Sequence, residues 1–233
     1  MIKIENTEVV GWDHAVRGMR NPMNSWEKSD SFWQTVDYDA SSERDIYEYE
    51  IGPNDHGLMK RLRNAGTDHR KFMRMITVYL DITAPLYWWK EFDTYKVGTV
   101  ANSCSTMHKI HAKEFTRDDF SSEHIMCLCE KETPVVYHPS GNTALAPIDV
   151  LDITIMMLNK ARDLYLQTKD KQYWWQMIQL LPTSYNQKRT VMLNYEVLAN
   201  MFAARCNHKL DEWKTLCEWM RTLPYSELIT NER

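Results

Sequence analysis

The sequence has few of the residues that separate folded units. Its 233 residues include seven glycines and eight prolines, which are spread thinly and form no glycine-serine or proline-rich linker. A chain with 43% hydrophobic and 26% charged residues can bury one sizeable core, or at most two small ones. We therefore predict one domain that covers residues 1–233.

Long apolar runs and an excess of positive charge are also missing. No run approaches the ~20 apolar residues of a membrane helix, and the start, "MIKIENTEVV", lacks the apolar core of a signal peptide. The formal net charge of -4 gives no general attraction to nucleic acid or to an anionic membrane. These features predict a cytoplasmic protein that binds neither.

Several familiar kinds of site find no match in the sequence. The five cysteines show no disulfide spacing, so reduced thiols are expected. Gly98 and Thr99 lack the further glycines and the following lysine of a phosphate loop, and no nucleophile elbow occurs. We expect no metal site, because the spacing of the ligand-type residues fits no common zinc pattern. These residues are His108, His111, His124, Cys127, Cys129 and His138.

The hydrophobic pattern predicts a mixed α/β (α+β) chain with its helices concentrated at the C-terminal end. Residues 2–5 indicate a short strand, and an amphipathic helix is expected to begin near Thr7. Residues 21–55 are interpreted as loop with one strand. Further helices are predicted at residues 57–65, 146–169, 170–181, 190–205 and 209–222.

Polar side chains mark both ends of the helix predicted at 190–205. Asn194 and Arg205 are eleven residues apart, which returns to the same helix face ~16 Å later. The stripe between them is apolar, with Val197, Leu198 and Met201. Burying polar groups in such surroundings costs free energy unless they form hydrogen bonds, which favours a ligand or a subunit contact.

Paired tryptophans and one polar stretch also suggest a pocket. Trp88-Trp89 and Trp174-Trp175 could stack on a flat ring, although one core residue and one half-buried edge residue in each pair is the simpler alternative. The stretch "YWWKEFDTYKVGTVANSCSTMHKIH", residues 87–111, sets aromatic residues beside turn-forming and hydrogen-bonding ones. A ligand pocket needs this combination, but a strand-loop-helix junction can also contain it.

Several segments resemble one family in the same order along the chain. "LLPTSYNQKRTVMLNYEVLANMFAARCNHKLDEW" resembles the C-terminal pattern of the flavin-dependent thymidylate synthases. "DTYKVGTVANSCSTMH" is similar to the family signature of Arg-His-Arg, two residues, Ser, then Asn-Glu, Ser and Arg-Tyr. "HAVRGM" and "GTDHRKFMR" resemble an early helix and a histidine-containing segment of the family. The sequence thus looks like a divergent member.

The resemblance implies a fold, a cofactor and partners. Members of this family methylate deoxyuridine monophosphate (dUMP), use FAD as a hydride carrier, and bind flavin between the subunits of a tetramer. The implied fold has a central, mostly antiparallel sheet and a C-terminal helical half. The implied partners are a pyrimidine nucleotide, a folate one-carbon donor, NADPH and three further copies of the chain.

The resemblance also assigns residues to the site. Those assigned to flavin are Asn194, Asn200, Tyr95, Lys96 and His69. Those assigned to the nucleotide are Glu91, Asn102, Ser103, Ser105 and Arg205. Arg205 would stabilise charge that develops on the pyrimidine, and Ser105 would position the ring. A structural ion pair of Arg205 with Asp211 or Glu212 is the alternative.

The departures from the family pattern leave two functions open. Thr94, Tyr95 and Lys96 stand where the family has Arg-His-Arg, one residue is inserted before Asn102, and Ser103 replaces a glutamate. Arginines of the family are replaced by Met107, Ile178 and Glu196. Binding of dUMP should be weak without these bidentate donors unless His108, Lys109 or Arg189 compensates. The chain is therefore either a flavoenzyme or a repurposed nucleotide-binding or assembly protein.

Overall fold

The computed structural model describes residues 2–127, 135–138 and 141–232. For residues 135–138 and 141–144 it describes the backbone only. Cys129 and the side chain of His138, two of the ligand-type residues noted above, therefore lie outside the described part.

Strands and helices alternate along the chain. The strands are β1 (Lys3–Val10), β2 (Phe32–Asp39), β3 (Arg44–Glu50), β4 (Thr77–Pro85), β5 (Val100–Ser103), β6 (Val135–His138), β7 (Gly141–Ala144) and β8 (Asn186–Asn194). The helices are α1 (Trp12–Arg20), α2 (Pro53–Asn64), α3 (Leu86–Phe92), α4 (Thr106–Lys109), α5 (Pro147–Thr168), α6 (Lys171–Leu180), α7 (Tyr195–Arg205), α8 (Asp211–Arg221) and α9 (Glu227–Thr230). The predicted α/β (α+β) class is confirmed.

Three sheets organise these strands. The largest has four strands in the order β1-β4-β8-β5. The other two are antiparallel ribbons, β2-β3 and β6-β7. The β2-β3 ribbon pairs Phe32 with Glu50 and Trp33 with Tyr49, and its register shifts between Thr35 and Asp37. Among the described residues, no helix has the length and apolar character needed to cross a membrane.

The chain forms two compact units, each made of segments that are distant in sequence. The first consists mainly of Ile82–Thr94 and Asn102–Arg189. The second consists of Ile4–Asp81, Tyr95–Ala101 and Thr190–Arg233. A single domain over residues 1–233 stays a prediction.

The core of the first unit lies between α5, α6 and the segment that precedes them. Phe115, Phe120, Leu158 and Met177 are among its buried members. Pro147 at the start of α5 has no N–H to leave unsatisfied in the first turn, which suits it to that position. This core explains why helices at 146–169 and 170–181 were predictable.

The two tryptophan pairs of the first unit differ in burial. Trp88 and Trp89 lie on α3 and are 0% and 1% exposed, so the interpretation of one core and one edge residue is wrong for this pair. The indole N–H of Trp89 donates to the carbonyl oxygen of Gln187 at 3.0 Å. Trp174 is half-buried, whereas Trp175 is 43% exposed.

The second unit is built around α7, α8 and α9. Tyr195, Leu198, Met201 and Trp213 are 0% exposed. Leu198 and Met201 of the apolar stripe on α7 therefore face the core. The hydroxyl of Tyr195 donates to the carbonyl oxygen of Pro224 at 2.6 Å, which satisfies a buried polar group.

Three predicted segments were wrong in position or type. The helix expected near Thr7 begins only at Trp12, directly after Gly11. Gly11 has a φ of 91°, and a Cβ there would lie 2.2 Å from the Met75 carbonyl oxygen, so no side chain fits at this position. Residues 190–194 belong to β8, because alternate residues such as Val191 and Leu193 are buried, which is the period of a strand. Residues 21–55 contain the whole β2-β3 ribbon, so they hold two strands instead of the one predicted.

Candidate functional site

Asn194 lies where β8 ends and α7 begins. Its side-chain Oδ1 accepts a hydrogen bond from the backbone N–H of Val197 at 3.1 Å, the usual role of an asparagine N-cap. This hydrogen bond satisfies Oδ1 within the chain, without a ligand or a subunit contact. Its Nδ2 remains available as a donor.

The segment that holds Tyr95 and Lys96 reaches the start of α7 through Gly98. A Cβ on Gly98 would lie 2.9 Å from Nδ2 of Asn194 and 3.2 Å from Cγ2 of Val197. The φ of Gly98 is 79°, so a side chain there is disfavoured by conformation as well as by space. The next residue, Thr99, has a buried Oγ1 for which the described residues offer no hydrogen-bond partner.

Arg205 is the last residue of α7 and contacts the same segment. Its Nε donates to the hydroxyl of Tyr95 at 3.0 Å. Its guanidinium carbon lies 4.8 Å from the centre of the Trp213 ring and 5.7 Å from that of Tyr95, within cation–π range. The alternative ion pair with Asp211 or Glu212 stays a prediction.

A charged cluster occupies another side of α7. Arg70 donates through Nη2 to Oδ1 of Asn200 at 2.8 Å and through Nε to Glu196 at 3.4 Å, and Arg74 also pairs with Glu196. Glu196 and Asn200 are one helical turn apart and therefore share a face. Glu196 is 7% exposed, so the two arginines compensate a buried carboxylate.

The residues assigned to flavin thus border α7, but on two sides of it. Asn194, Tyr95 and Lys96 belong to the side that Arg205 shares. Asn200 belongs to the other side, where His69 precedes Arg70 and is exposed. All of them lie in the second unit.

Ser105 lies in the first unit, at the N-cap of α4. Its Oγ accepts a hydrogen bond from the backbone N–H of His108 at 3.0 Å. Ser105 also lines a cavity of about 120 Å³, the volume of about four water molecules. Three lysines share the lining: Lys109, Lys113 and Lys188. We call this cavity the Ser105 pocket.

The surroundings of the Ser105 pocket fix some of its groups. Lys113 pairs with Asp119, and the Gln187 side chain donates through Nε2 to the Cys104 carbonyl at 2.8 Å. Burial raises the pKa of Tyr185, and the charge of Asp119 raises it further, so this lining residue stays a hydroxyl donor at neutral pH. The pocket therefore presents cations and hydrogen-bond donors together.

Of the three residues expected to compensate for the lost arginines, Lys109 is the one in the lining of the Ser105 pocket. Arg189 is instead held elsewhere, with Nη1 2.8 Å from Asp93 and its guanidinium 4.1 Å from the Trp89 ring. His108 is exposed. Ile178 packs against the apolar core of the first unit, where it replaces an arginine of the family pattern.

The structure does not bring every assigned nucleotide residue to this pocket. Glu91 is half-buried on α3, and Asn102 and Ser103 are exposed on β5. The lining of the Ser105 pocket contains none of the three, all of which are described. The sequence did not predict that Lys113 and Lys188 line the Ser105 pocket, or that Arg70 and Arg74 contact α7. The signal in the sequence was that each residue lies near a segment already assigned to the site.

Comparisons with solved structures identify the fold. No protein-family model matches the chain, and no curated protein sequence matches it. Thymidylate synthase X from Helicobacter pylori, solved with FAD and dUMP, superposes with a TM-score of 0.63 at 17% identity, covering 100% of this chain and 98% of that one. A UMP/dUMP methylase from Streptomyces cacaoi, bound with 5-Br UMP, gives 0.59 at 13% identity, covering 99% and 94%.

The chain has the fold of the flavin-dependent thymidylate synthases. The fold that the sequence resemblance implied is thereby confirmed over the full length. At these identities the agreement concerns the fold, so the roles of individual residues rest on the contacts described above.

Proposed function

We propose that this protein is a flavoenzyme that methylates a pyrimidine nucleotide, either dUMP or a related uridine or cytidine nucleotide. Reduced FAD, when bound, supplies the hydride for a one-carbon unit on C5 of the pyrimidine. A folate donor and NADPH complete the proposed reaction. The proposal is supported by two similar folds over the whole chain, one solved with FAD and dUMP and one with 5-Br UMP.

One observation carries the proposal. The two segments that the resemblance assigns to flavin, around His69 and around Tyr95, both contact α7, which carries the two assigned asparagines. Arg70 connects the first segment to Asn200, and Gly98 brings the second against Asn194. Arg70 and Asn200 are 130 positions apart in sequence, and Gly98 and Asn194 are 96 apart, so the fold brings both distant segments to α7.

The residues around α7 fit the polar edge and the phosphates of FAD. Asn194 and Asn200 use Oδ1 in internal hydrogen bonds, so each keeps Nδ2 as a donor for a flavin carbonyl. Gly98 lets the segment pack closely against Asn194, and Thr99 has a buried hydroxyl for which the described residues offer no partner. Lys96 adds an exposed cation suited to a phosphate.

Two further groups serve the nucleotide in this proposal. The lysines of the Ser105 pocket would bind the phosphate, because ammonium groups bind phosphates as point charges. Arg205 would stabilise negative charge on the pyrimidine, because contacts with Tyr95 and Trp213 fix its guanidinium before the reaction. Ser105 would orient the nucleotide.

Glu196 favours a second candidate function. A buried carboxylate stands where the family pattern has an arginine, and it already pairs with Arg70 and Arg74. Thr94 and Ile178 also replace arginines. These changes suit a protein that keeps the fold and binds a nucleotide, or assembles, without catalysis.

A methylation assay separates the two candidates. The protein would be incubated with FAD, NADPH, methylene-tetrahydrofolate and dUMP, UMP or CMP in turn, and mass spectrometry would detect a methyl group on the nucleotide. A methylated nucleotide supports the enzyme. Binding of FAD and a nucleotide without product supports the second candidate, and binding of neither contradicts both.

A further inference from the structure

One cavity of the second unit has no part in the proposed reaction. It has a volume of about 750 Å³. Six aromatic residues contribute to its lining: Trp12, Trp33, Tyr47, Tyr49, Trp219 and Tyr225. We call it the aromatic groove. Its volume lies within the range of about 300–1,000 Å³ found for small-molecule sites.

The rings of the aromatic groove are inclined to one another. Trp12 and Tyr225 have centroids 5.1 Å apart and planes at 65°, and Trp33 and Tyr49 have centroids 5.2 Å apart and planes at 60°. Trp33 and Tyr49 are direct partners across the β2-β3 ribbon and so share one of its sides. Inclined rings present π faces in several directions, which is how aromatic residues surround a cation.

The charges of the groove all have one sign. Its lining, which lies wholly within the described residues, includes Asp13, Glu48 and Glu50 and contains no lysine, arginine or histidine. Glu48 and Glu50 are exposed carboxylates at the rim of the groove. They alternate with Tyr47 and Tyr49 along β3, so they leave the ribbon on the face opposite to these two rings. Burial raises the pKa of Tyr225, one of the rings of the groove, and the charges of Glu50 and Glu48 raise it further, so both carboxylates act on the groove.

This charge separates the aromatic groove from the nucleotide chemistry proposed above. None of the described residues assigned to flavin or to the pyrimidine nucleotide lines it. A negative rim repels phosphate groups and the carboxylates of a folate tail. The exposure of Trp33 and Tyr47, 57% and 59%, leaves large aromatic surfaces accessible to some other ligand.

We propose that the aromatic groove binds a small organic cation that carries a guanidinium group. A planar guanidinium stacks on Trp and Tyr faces and donates hydrogen bonds to carboxylates, so it uses both kinds of group present here. The rings supply most of the affinity, and the rim carboxylates attract the cation. This inference is independent of the proposed methylation.

The test compares two probes that differ in charge. Argininamide carries the guanidinium, and citrullinamide replaces it with a neutral urea of nearly the same shape. Calorimetry with the full chain in low salt should show binding of argininamide and at least about tenfold weaker binding of citrullinamide. Raising the salt should weaken argininamide binding, because the rim charges become screened.

Matched variants locate the site. Trp33→Leu should weaken argininamide binding about tenfold, whereas Trp26→Leu, at a tryptophan that is 49% exposed and outside the lining, should leave it unchanged. The double change Glu48→Gln and Glu50→Gln should weaken binding several-fold and reduce its salt dependence, unlike Glu27→Gln outside the groove. Circular dichroism checks that each variant is folded.

Three results would overturn the inference. One is a folded wild type that binds no argininamide. Another is equal binding of the two probes, which would show that charge is not recognised. The third is a Trp33→Leu protein with wild-type affinity; if this variant does not fold, Tyr47→Leu provides the same comparison at another exposed ring of the groove.

Discussion

Arg205 donates a hydrogen bond through Nε to the hydroxyl of Tyr95 at 3.0 Å, although the two residues are 110 positions apart in sequence. The same guanidinium lies 4.8 Å from the centre of the Trp213 ring. The contact holds the C-terminal end of α7 against the segment 95–101. A side chain fixed in this way is preorganised to stabilise charge on a ligand.

Substitution of Arg205 separates a ligand role from a structural role. Arg205→Ala should lower the free energy of unfolding by about 2 kcal/mol, because its hydrogen bond with Tyr95 and its cation–π contacts with Tyr95 and Trp213 are lost. Nucleotide turnover should be abolished. Thermal melts with and without a nucleotide, together with the methylation assay, measure both effects.

Arg221→Ala is the matched control for Arg205→Ala. Arg221 also lies over an aromatic ring in the second unit, 4.9 Å from the centre of Phe202, but it is not assigned to the site. The Arg221→Ala variant should keep wild-type turnover of the nucleotide. A loss of about 3–5 kcal/mol in Arg205→Ala, together with unchanged nucleotide binding, would instead indicate a buried structural ion pair.

The Ser105 pocket predicts how phosphate binding changes. Lys109→Gln should weaken UMP or dUMP about tenfold, because a charge-assisted contact with the phosphate is lost, and should leave uridine unaffected. Ser105→Ala should weaken the same nucleotide to a lesser degree and also cost about 0.5–2 kcal/mol of stability through the lost N-cap. Calorimetry measures the affinities.

Lys160→Gln provides the control for Lys109→Gln. Lys160 is an exposed lysine on α5 outside the lining of the pocket, so this variant should bind UMP as the wild type does. Equal losses in both variants would mean that net charge, and not this pocket, governs nucleotide affinity. Equal losses of UMP and uridine would argue against a phosphate site.

Asp55 predicts an acid-sensitive stability. It is 0% exposed and accepts hydrogen bonds from Arg20, Ser29 and Ser31 at 2.6–2.7 Å. Burial alone would raise its pKa, but these three partners lower the pKa of Asp55 below its ordinary value. The unfolded chain therefore binds more protons, and stability should fall as the pH drops from about 4 through the folded pKa.

Urea unfolding at several pH values tests the role of Asp55. Asp55→Asn should lose about 3–5 kcal/mol at pH 7, because it leaves the buried Arg20 without its charged partner. The variant should also show a shallower decline in acid than the wild type. Asp45→Asn, an exposed carboxylate on β3, should keep wild-type stability at pH 7. Identical acid profiles for Asp55→Asn and the wild type would rule out this account.

The helical half of the fold could be predicted because its patterns are local. The helices α5, α6 and α8 follow apolar residues at helical spacing and stay within about two residues of the predicted bounds. The strands were harder to predict from the sequence. Residues 190–194 are compatible with a helix continuing into α7, and only burial against the four-stranded sheet selects the strand.

The candidate site was only partly predictable. Asn194 and Ser105 were identified from a family pattern, but their capping roles depend on where α7 and α4 begin. The fold brings Lys188 and Ser105 into the lining of the same pocket, and no spacing in the sequence indicates that they are close. The cluster of Arg70 with Glu196 was missed for the same reason, since the two are 126 residues apart.

Assembly is a further prediction. The resemblance implies a tetramer, which needs exposed apolar surface for its subunit contacts, and Trp213 on α8 offers none because the chain itself buries this residue. Trp175 and Tyr38, which lie outside the aromatic groove, are 43% and 55% exposed and remain available for contacts. Light scattering at micromolar concentration with FAD should give four times the 27.7 kDa of the chain. A 27.7 kDa mass would contradict the predicted homotetramer.

Titration of the purified protein with FAD tests the central claim most directly. Calorimetry should show binding by the wild type and at least about tenfold weaker binding by Asn200→Ala, since a lost partner costs about 1–3 kcal/mol. Asn64→Ala is the matched control, because Asn64 is also exposed and accepts a hydrogen bond from an arginine, at 3.2 Å. It should bind FAD like the wild type. A folded wild-type protein that binds no FAD would contradict the assignment of this chain as a flavoenzyme.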